Sequence, residues 1–312
     1  MQEEDQERLL AITAAAFKGV TYPFLLETRY GSPGYGTSTV VGWIEEYLQK
    51  GLEHCLVAVD ETDLVQGFAA TTIKPLASTG ELSYLAVDAS ARGMGVGRKL
   101  MDATINHFKG LGLRVAMLGY DEHNQRAARF YARCNFTPLL NLSLFVGLLK
   151  GYRPDRHELL PLEVRAVSTS EIPLAGLRHF ISPYLQTTVE AGIRRKHGVE
   201  VDLARVFEET LGEEMKSKSF AFAAWEKGRL AGFCSCARKR AGPIAEIRRP
   251  VAASKEAADA LLDVALQRLS ADGQIAAYCW FNEEDRLSRR CLLDAGFEHI
   301  HSAVLVSLPL DR

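Results

Sequence analysis

Residues 87–101 read VDASARGMGVGRKLM. Glycines at 93, 95 and 97 alternate between an apolar run, Tyr84–Val87, and a stretch with helical spacing, and Arg92, Arg98 and Lys99 flank them. A strand that enters a helix through a glycine turn makes an anion site. The first-turn amides have no intrahelical acceptor, the helix dipole is positive there, and glycine lets the backbone take positive φ and come close to a phosphate. The spacing narrows the choice of anion. A mononucleotide loop needs GxxxxGK followed by Ser or Thr, which is absent. A dinucleotide fold needs GxGxxG and an acidic residue about 20 positions on, whereas this segment reads GxGxG and Met117 stands near that place.

The elements that must hold this segment follow from apolar spacing. Residues 6–17 and 40–50 have helical periodicity, and GSPGYGTST (31–39) between them is loop chemistry. CLVAVD (55–60) and LVQGFAATTI (64–73) read as strands around an acidic turn, and ELSYLAV (81–87) as a third. Val96, Leu100, Ala103, Ile105 and Phe108 define a helix that starts at the glycines. RVAMLGY (114–120) is the next strand. NQRAARFYARCNF (124–136) is a helix ending near Asn135, a residue that tolerates the left-handed terminal conformation, and LSLFVGLL (142–149) is a strand.

GYRPDRHELLPL (151–162), with two prolines and several charges, reads as a linker between domains at 1–150 and 163–312. Beyond it the order repeats. LEVRAV is a strand, helical segments run to about 215, and FAFAAWE and LAGFCSC pair around KGR. AEIRR is a strand, SKEAADALLDVALQRL a helix, QIAAYCWF a strand, RLSRRCLLDAGF a helix and HSAVLVSL a strand. Glu81 pairs with Glu246, and Asn135-Phe136 with Gly296-Phe297, so the separations are 165 and 161. The second copy is shorter where the glycines should be, and RRPVAASKEAA (248–258) stands in their place. Counting back from the helix end puts Leu292 opposite Tyr131. The second copy is therefore expected to bind no ligand in the manner of the first, and to serve as a structural partner or a wall of the first copy's cleft.

Arg92-Gly93-Met94-Gly95-Val96-Gly97 matches R/Q-x-x-G-x-G/A, and it resembles the acyl-CoA pyrophosphate loop of the GNAT superfamily of N-acetyltransferases. ELSYLAVDASARGMGVGRKLMDATINH resembles that family's strand–loop–helix core. NQRAARFYARCNF resembles its second signature, N-x-x-A-x-x-F-Y with an aromatic at the helix end. The likeness covers residues 52–149; for the second half it is one of topology. It implies an α/β fold with a mostly antiparallel mixed sheet flanked by helices, twice in tandem. It also implies acetyl-CoA as the cofactor. The backbone and side chain of Arg92, with Gly93, Met94, Gly95, Val96, Gly97 and Arg98, would hold the pyrophosphate. Leu85, Ala86 and Val87 would lie along the pantetheine, Asn124 would help to hold it, and Tyr131 would protonate the departing thiolate. The tandem plan resembles double-domain acetyltransferases whose competent copy is the second; here the glycines put it first.

Transfer of an acyl group from a thioester to an amine needs a neutral amine. With a pKa of about 10.4, only about one alkyl amine in 10³ is neutral at pH 7. A nearby carboxylate can take the proton, and the resemblance puts Glu81 in that place. Strand backbone around Leu85 could polarise the acyl carbonyl. Other roles stay open for these residues: Tyr131 as a core tyrosine with a satisfied hydroxyl, Asn124 as a helix N-cap, Glu81 as a surface carboxylate. Tyr30 and Tyr35 in the segment TYPFLLETRYGSPGYGTST (21–39) are either a lid over the acceptor or plain loop. The acceptor is expected to be a primary amine of a small molecule or peptide. A non-catalytic acyl-CoA sensor or scaffold would need Arg92 and the glycines but neither Glu81 nor Tyr131.

Composition excludes several classes. The chain has 312 residues, 47% hydrophobic and 24% charged, which suits about two globular domains. Its halves carry net charges of −2 and 0, so nothing supports bulk attraction to nucleic acid. No apolar run reaches the roughly 20 residues of a membrane span, and MQEEDQER lacks the features of a signal peptide. The six cysteines are expected to be free thiols of a cytoplasmic protein. Cys234-x-Cys236 and His299-x-His301 lack a second ligand pair at zinc spacing, so no metal is expected.

Overall fold

Apolar residues make up most of the strand segments, and apolar stripes mark the helices. In the computed structural model the described residues are 3–18, 55–149, 162–168, 188–203, 219–238 and 243–310, with isolated positions 23, 27, 39, 42, 152, 171, 205, 206 and 209. Tyr30, Tyr35 and, apart from those isolated positions, the 31–39 loop, the 40–50 helix and the linker before Leu162 lie outside them. The elements are α1 (Glu3–Phe17), β1 (Cys55–Val59), β2 (Val65–Lys74), β3 (Thr79–Val87), α2 (Val96–Gly110), β4 (Val115–Asp121), α3 (Gln125–Arg133) and β5 (Thr137–Leu148). Then follow β6 (Leu162–Val167), α4 (Val189–His197), β7 (Ser219–Glu226), β8 (Arg229–Arg238), β9 (Ile244–Ala252), α5 (Lys255–Ala271), β10 (Ala276–Asn282), α6 (Arg286–Asp294) and β11 (Glu298–Pro309).

The chain divides into two compact units, and they do not follow a single cut at residue 150. The first holds Met1–Leu139, Lys196–Val199 and Ala303–Arg312; the second holds Leu140–Arg195 and Glu200–Ser302. In the first unit the strand order is β1-β2-β3-β4-β11, with β3 and β4 parallel and the other pairs antiparallel. In the second it is β5-β10-β9-β8-β7-β6, with β9 and β10 parallel. The last strand of each sequence copy thus pairs in the other unit: Ala303–Pro309 of β11 against β4, and Leu142–Leu148 of β5 against β10. Local periodicity marks a segment as a strand but does not name its partner, which is why the sequence boundary and the compact units differ. Among the described residues no strand precedes β1, whereas the second unit has β6 outside β7.

Two cores sandwich the sheet of the first unit. α1 buries Leu9 and Ile12 against Phe68, Ala70 and Ala86 on one face. α2 buries Leu100, Met101 and Phe108 against Ala69, Leu82 and Leu118 on the other. The α2 stripe runs through Met101 and Thr104 rather than the expected Ala103, and Thr104 Oγ1 is satisfied by the Leu100 carbonyl at 2.8 Å. Each large apolar side chain buried here stabilises the unit by about 1.5–3 kcal/mol. Gly80 is required on β3, because a Cβ there would meet the Phe108 ring at 2.6 Å. The second unit is built likewise around α5, with Leu261, Leu266 and Leu269 at 0% exposure.

Candidate active site

The site begins where β3 leaves β4. Their parallel register runs Thr79↔Val115, Gly80↔Ala116, Glu81↔Met117 and stops there, although β3 continues to Val87 and β4 to Asp121. Against β2 the register shifts at the same place: Ala70 pairs with Tyr84 and Thr71 with Leu82, leaving Ser83 as an extra residue. A bulge bends and twists its strand, so β3 turns away from β4 just after Glu81. Asp88 N donates to the Gln66 carbonyl at 2.8 Å. By antiparallel alternation the backbone groups of Val87 and Leu85 then face away from β2, toward the opening.

The loop after β3 is fixed at its start and open at its end. Asp88 accepts from Ser90 N at 2.9 Å and pairs with Arg8 at 2.7 Å, which anchors a short 3₁₀ turn, Ala89–Ala91. The hydrogen bonds from Ser90, and after them the charges of Arg8 and Arg92, hold the Asp88 carboxyl below its usual range. Met94 N donates to the Ala91 carbonyl at 3.3 Å. Gly93 and Gly95 then take φ of +85° and +86°, the left-handed region that glycine adopts without strain. A Cβ at either would meet nothing within 4 Å, so these glycines serve backbone conformation and leave open space over the loop.

Gly95 is the N-cap of α2 and has no side-chain cap. The first amide with an acceptor is Lys99 N, which donates to the Gly95 carbonyl at 3.0 Å. The amides of Gly93, Gly95, Val96, Gly97 and Arg98 have no acceptor among the described residues. Unpartnered amides at a helix N-terminus bind anions. Arg92 is exposed and its Nε donates to the Val87 carbonyl at 3.2 Å, which keeps the guanidinium beside the loop. Arg98 points elsewhere. Its Nε contacts both Asp102 oxygens at 2.9 and 3.0 Å, and Nη1 donates to the Arg133 carbonyl at 3.2 Å. Only its backbone amide remains available to the loop.

α3 packs beside this N-terminus. A Cβ on Gly97 would stand 3.7 Å from the Phe130 ring. Asn124 is the N-cap of α3, with Oδ1 accepting from Ala127 N at 3.0 Å. Tyr131 is half-buried in a cluster of rings, with centroids at 5.8 Å to Tyr120, 5.3 Å to Phe130 and 6.3 Å to Phe136. Its hydroxyl makes no hydrogen bond among the described residues. Desolvation, and after it the neighbouring Cys134, pushes its phenol above the ordinary value, so the group keeps its proton at neutral pH. Glu81 is partly exposed and pairs with Lys74 at 3.2 Å. Among the described residues no hydrogen bond or ion pair joins Glu81 to Tyr131 or Asn124. Tyr120 and Lys74 were not singled out from the sequence. Tyr120 was legible as the position in phase with Ala116 and Leu118 on β4.

Tyr120, Tyr131 and Phe136 also wall an open cavity of about 310 Å³, with Ala128, Arg129, Ala132, Pro138 and Val306 on its lining. Among the described residues no group of three or more His, Cys, Asp or Glu could hold a metal ion. All six cysteines are free and buried. No described helix is long and apolar enough to cross a membrane.

The second unit repeats the frame with other residues. The β9/β10 parallel register ends at Glu246↔Tyr278, the counterpart of Glu81↔Met117. There Arg248 pairs with Glu246 at 2.9 Å. The N-terminus of α5 is capped by Ser254, whose hydroxyl accepts from Ala257 N at 3.2 Å, and Glu256 adds an acidic group to the first turn. Asp285 caps α6 as Asn124 caps α3. Leu292 is buried at 1% exposure in the place of Tyr131.

Residues 24–136 match the Acetyltransferase (GNAT) family. A mycothiol acetyltransferase of Propionibacterium freudenreichii subsp. shermanii is 29% identical over 161 residues, 50% of this chain and 46% of its own length. One from Actinosynnema mirum is 38% identical over 82 residues, 26% of this chain and 27% of its own length. The matched stretches thus span less than half of these relatives. Among solved structures, a tandem GNAT protein from the clavulanic acid biosynthesis pathway has a TM-score of 0.66 at 16% identity, covering 100% of this chain and 96% of its own. A GCN5-related N-acetyltransferase from Sphaerobacter thermophilus has a TM-score of 0.64 at 14% identity, covering 98% and 93%. At such identities the likeness is one of fold. With its glycine loop, its diverging strands and the match of residues 24–136, the chain carries an acetyltransferase domain of the GNAT family within a tandem GNAT fold.

Proposed function

We propose that the chain transfers an acetyl group from acetyl-CoA to a primary amine of a small molecule or peptide. The observation that carries this reading is the set of five unpartnered amides from Gly93 to Arg98, beside strands that part after Glu81. The open space over Gly93 and Gly95 fits a diphosphate, and the exposed Arg92 adds a cation. Acetyl-CoA, when bound, supplies the thioester carbon that an amine attacks. The loop amides bind and orient. The backbone of Leu85 and Val87 offers hydrogen bonds into the opening, with Ala86 between them. Asn124 stands at the start of α3, where Oδ1 makes the cap and its amide nitrogen has no partner among the described residues. Tyr131 holds a proton on an unbonded hydroxyl and can release it to a leaving thiolate. Glu81, at the apex of the opening, accepts the proton of the incoming ammonium. The second unit, with its capped helix, its paired Glu246 and Leu292, acts as a structural partner.

The relatives named as mycothiol acetyltransferases support acetyl transfer and leave this chain's own acceptor to be found. A thermal-shift series tests the cofactor. At about 100 times its Kd, acetyl-CoA should add about 2.7 kcal/mol of stability, and ATP and NAD should add none. Stabilisation by a nucleotide but not by acetyl-CoA would contradict the proposal. With a responsive amine in hand, Glu81→Gln should lower kcat/KM by at least tenfold at pH 7. The deficit should shrink as rising pH deprotonates the amine; a loss independent of pH would remove Glu81 from the role of base.

A further inference from the structure

The cavity beside Tyr131 lies on the far side of α3 from Phe130, which reaches Gly97, so it is separate from the loop that receives the diphosphate. Its volume, about 310 Å³, is at the lower end of ligand clefts, which run roughly 300–1,000 Å³. The room comes from two alanines one turn apart, Ala128 and Ala132; the aligned residues of the second copy are Arg289 and Leu293. Three rings form its wall, and Arg129 is the one charged residue on the lining. Arg129 is exposed and has no acidic partner among the described residues. An apolar pocket with a single cation selects an apolar group that ends in an anion, and a cationic or polyhydroxyl ligand would find only the two tyrosine hydroxyls as side-chain acceptors there.

We propose that this cavity binds the non-reacting end of the acceptor, and that the acceptor is an amine bearing both an aromatic or branched apolar group and a carboxylate, as in a hydrophobic amino acid. This rests on the acetyl-transfer reading, because it takes Tyr131 to border the reacting atoms. The carboxylate would meet Arg129, and the side chain would lie among Tyr120, Tyr131 and Phe136.

The test measures CoA release with three amines: phenylalanine, phenylalaninamide, which lacks the carboxylate, and glucosamine. Wild-type protein should show kcat/KM for phenylalanine at least tenfold above that for glucosamine. Ala132→Leu, which fills the cavity, should cut the phenylalanine-to-glucosamine ratio at least tenfold, chiefly through KM. Arg129→Gln should lower the phenylalanine-to-phenylalaninamide ratio by a similar factor, and it leaves the cavity volume nearly intact should the leucine variant fail to fold. A preference for glucosamine, acetylation of none of the three, or ratios unmoved by both variants would overturn the inference. An acetyl-CoA thermal shift on the wild type separates the two readings. If that shift is absent, acetyl transfer itself fails and this inference with it; if it is present beside any of those outcomes, only the cavity assignment fails.

Discussion

Arg8 of α1 reaches Asp88 at 2.7 Å, so the first helix holds the residue at which β3 passes into the glycine loop. Asp88 also caps the 3₁₀ turn through Ser90, and its carboxyl titrates below its usual range because those bonds favour the ionised form. A carboxylate with a depressed native pKa stabilises the fold above its unfolded pKa, about 3.9, and loses that contribution as pH falls through the native value. Asp88→Ala should therefore cost about 1 kcal/mol at pH 7, in line with loss of a cap, and much less near pH 3. Denaturant melts at the two pH values check this. The same variant should weaken acetyl-CoA binding severalfold, because the loop loses its anchor.

Gly95 combines a φ of +86° with the N-cap of α2. Nothing crowds a Cβ there, so Gly95→Ala acts through conformation alone. Holding alanine in the left-handed region costs about 1–2 kcal/mol, and relief of that strain would turn the loop amides away from a common point. The expected result is a modestly lowered Tm with acetyl-CoA affinity reduced at least tenfold by calorimetry. Unchanged affinity would show that the loop conformation is not what binds.

Tyr131→Phe removes a hydroxyl that has no partner among the described residues, so stability should change little. In the proposed role of proton donor, Tyr131 should matter to kcat: a fall of about 10²-fold is expected, with KM for acetyl-CoA held within about twofold. The raised phenol pKa sets the pH dependence. A group with a raised native pKa favours the folded state below its unfolded value near 10 and loses that effect as pH rises through the native value. Wild-type turnover should thus show no loss assignable to Tyr131 below pH 10. Full activity of the phenylalanine variant with a good acceptor would exclude the acid role.

Much of the first unit could be read from the chain because its signals are local. The freedom of glycine to take positive φ is used at Gly93 and Gly95 but not at Gly97, which lies within α2, and Asn135 follows α3 at φ +65°. The pairing of Glu81 with Glu246 was visible in sequence and recurs as the last step of both parallel registers. Other features lacked a local signal. The exchange of β5 and β11 depends on which strands meet, which periodicity does not encode. The turn of Arg98 toward Asp102 and Arg133 depends on α3 lying alongside α2. Asn124 is a cap, as its residue type suggested, and this role is compatible with contact to a passing ligand. The Lys74–Glu81 pair follows from the β2/β3 register, which the bulge at Ser83 sets.

The account turns on the loop amides, and a crystal structure of the chain with acetyl-CoA tests them directly. Diphosphate oxygens should lie about 3 Å from the amide nitrogens between Gly93 and Arg98, with the thioester entering the opening between β3 and β4. A diphosphate bound elsewhere, or a saturated crystal in which this turn stays empty, would contradict the account.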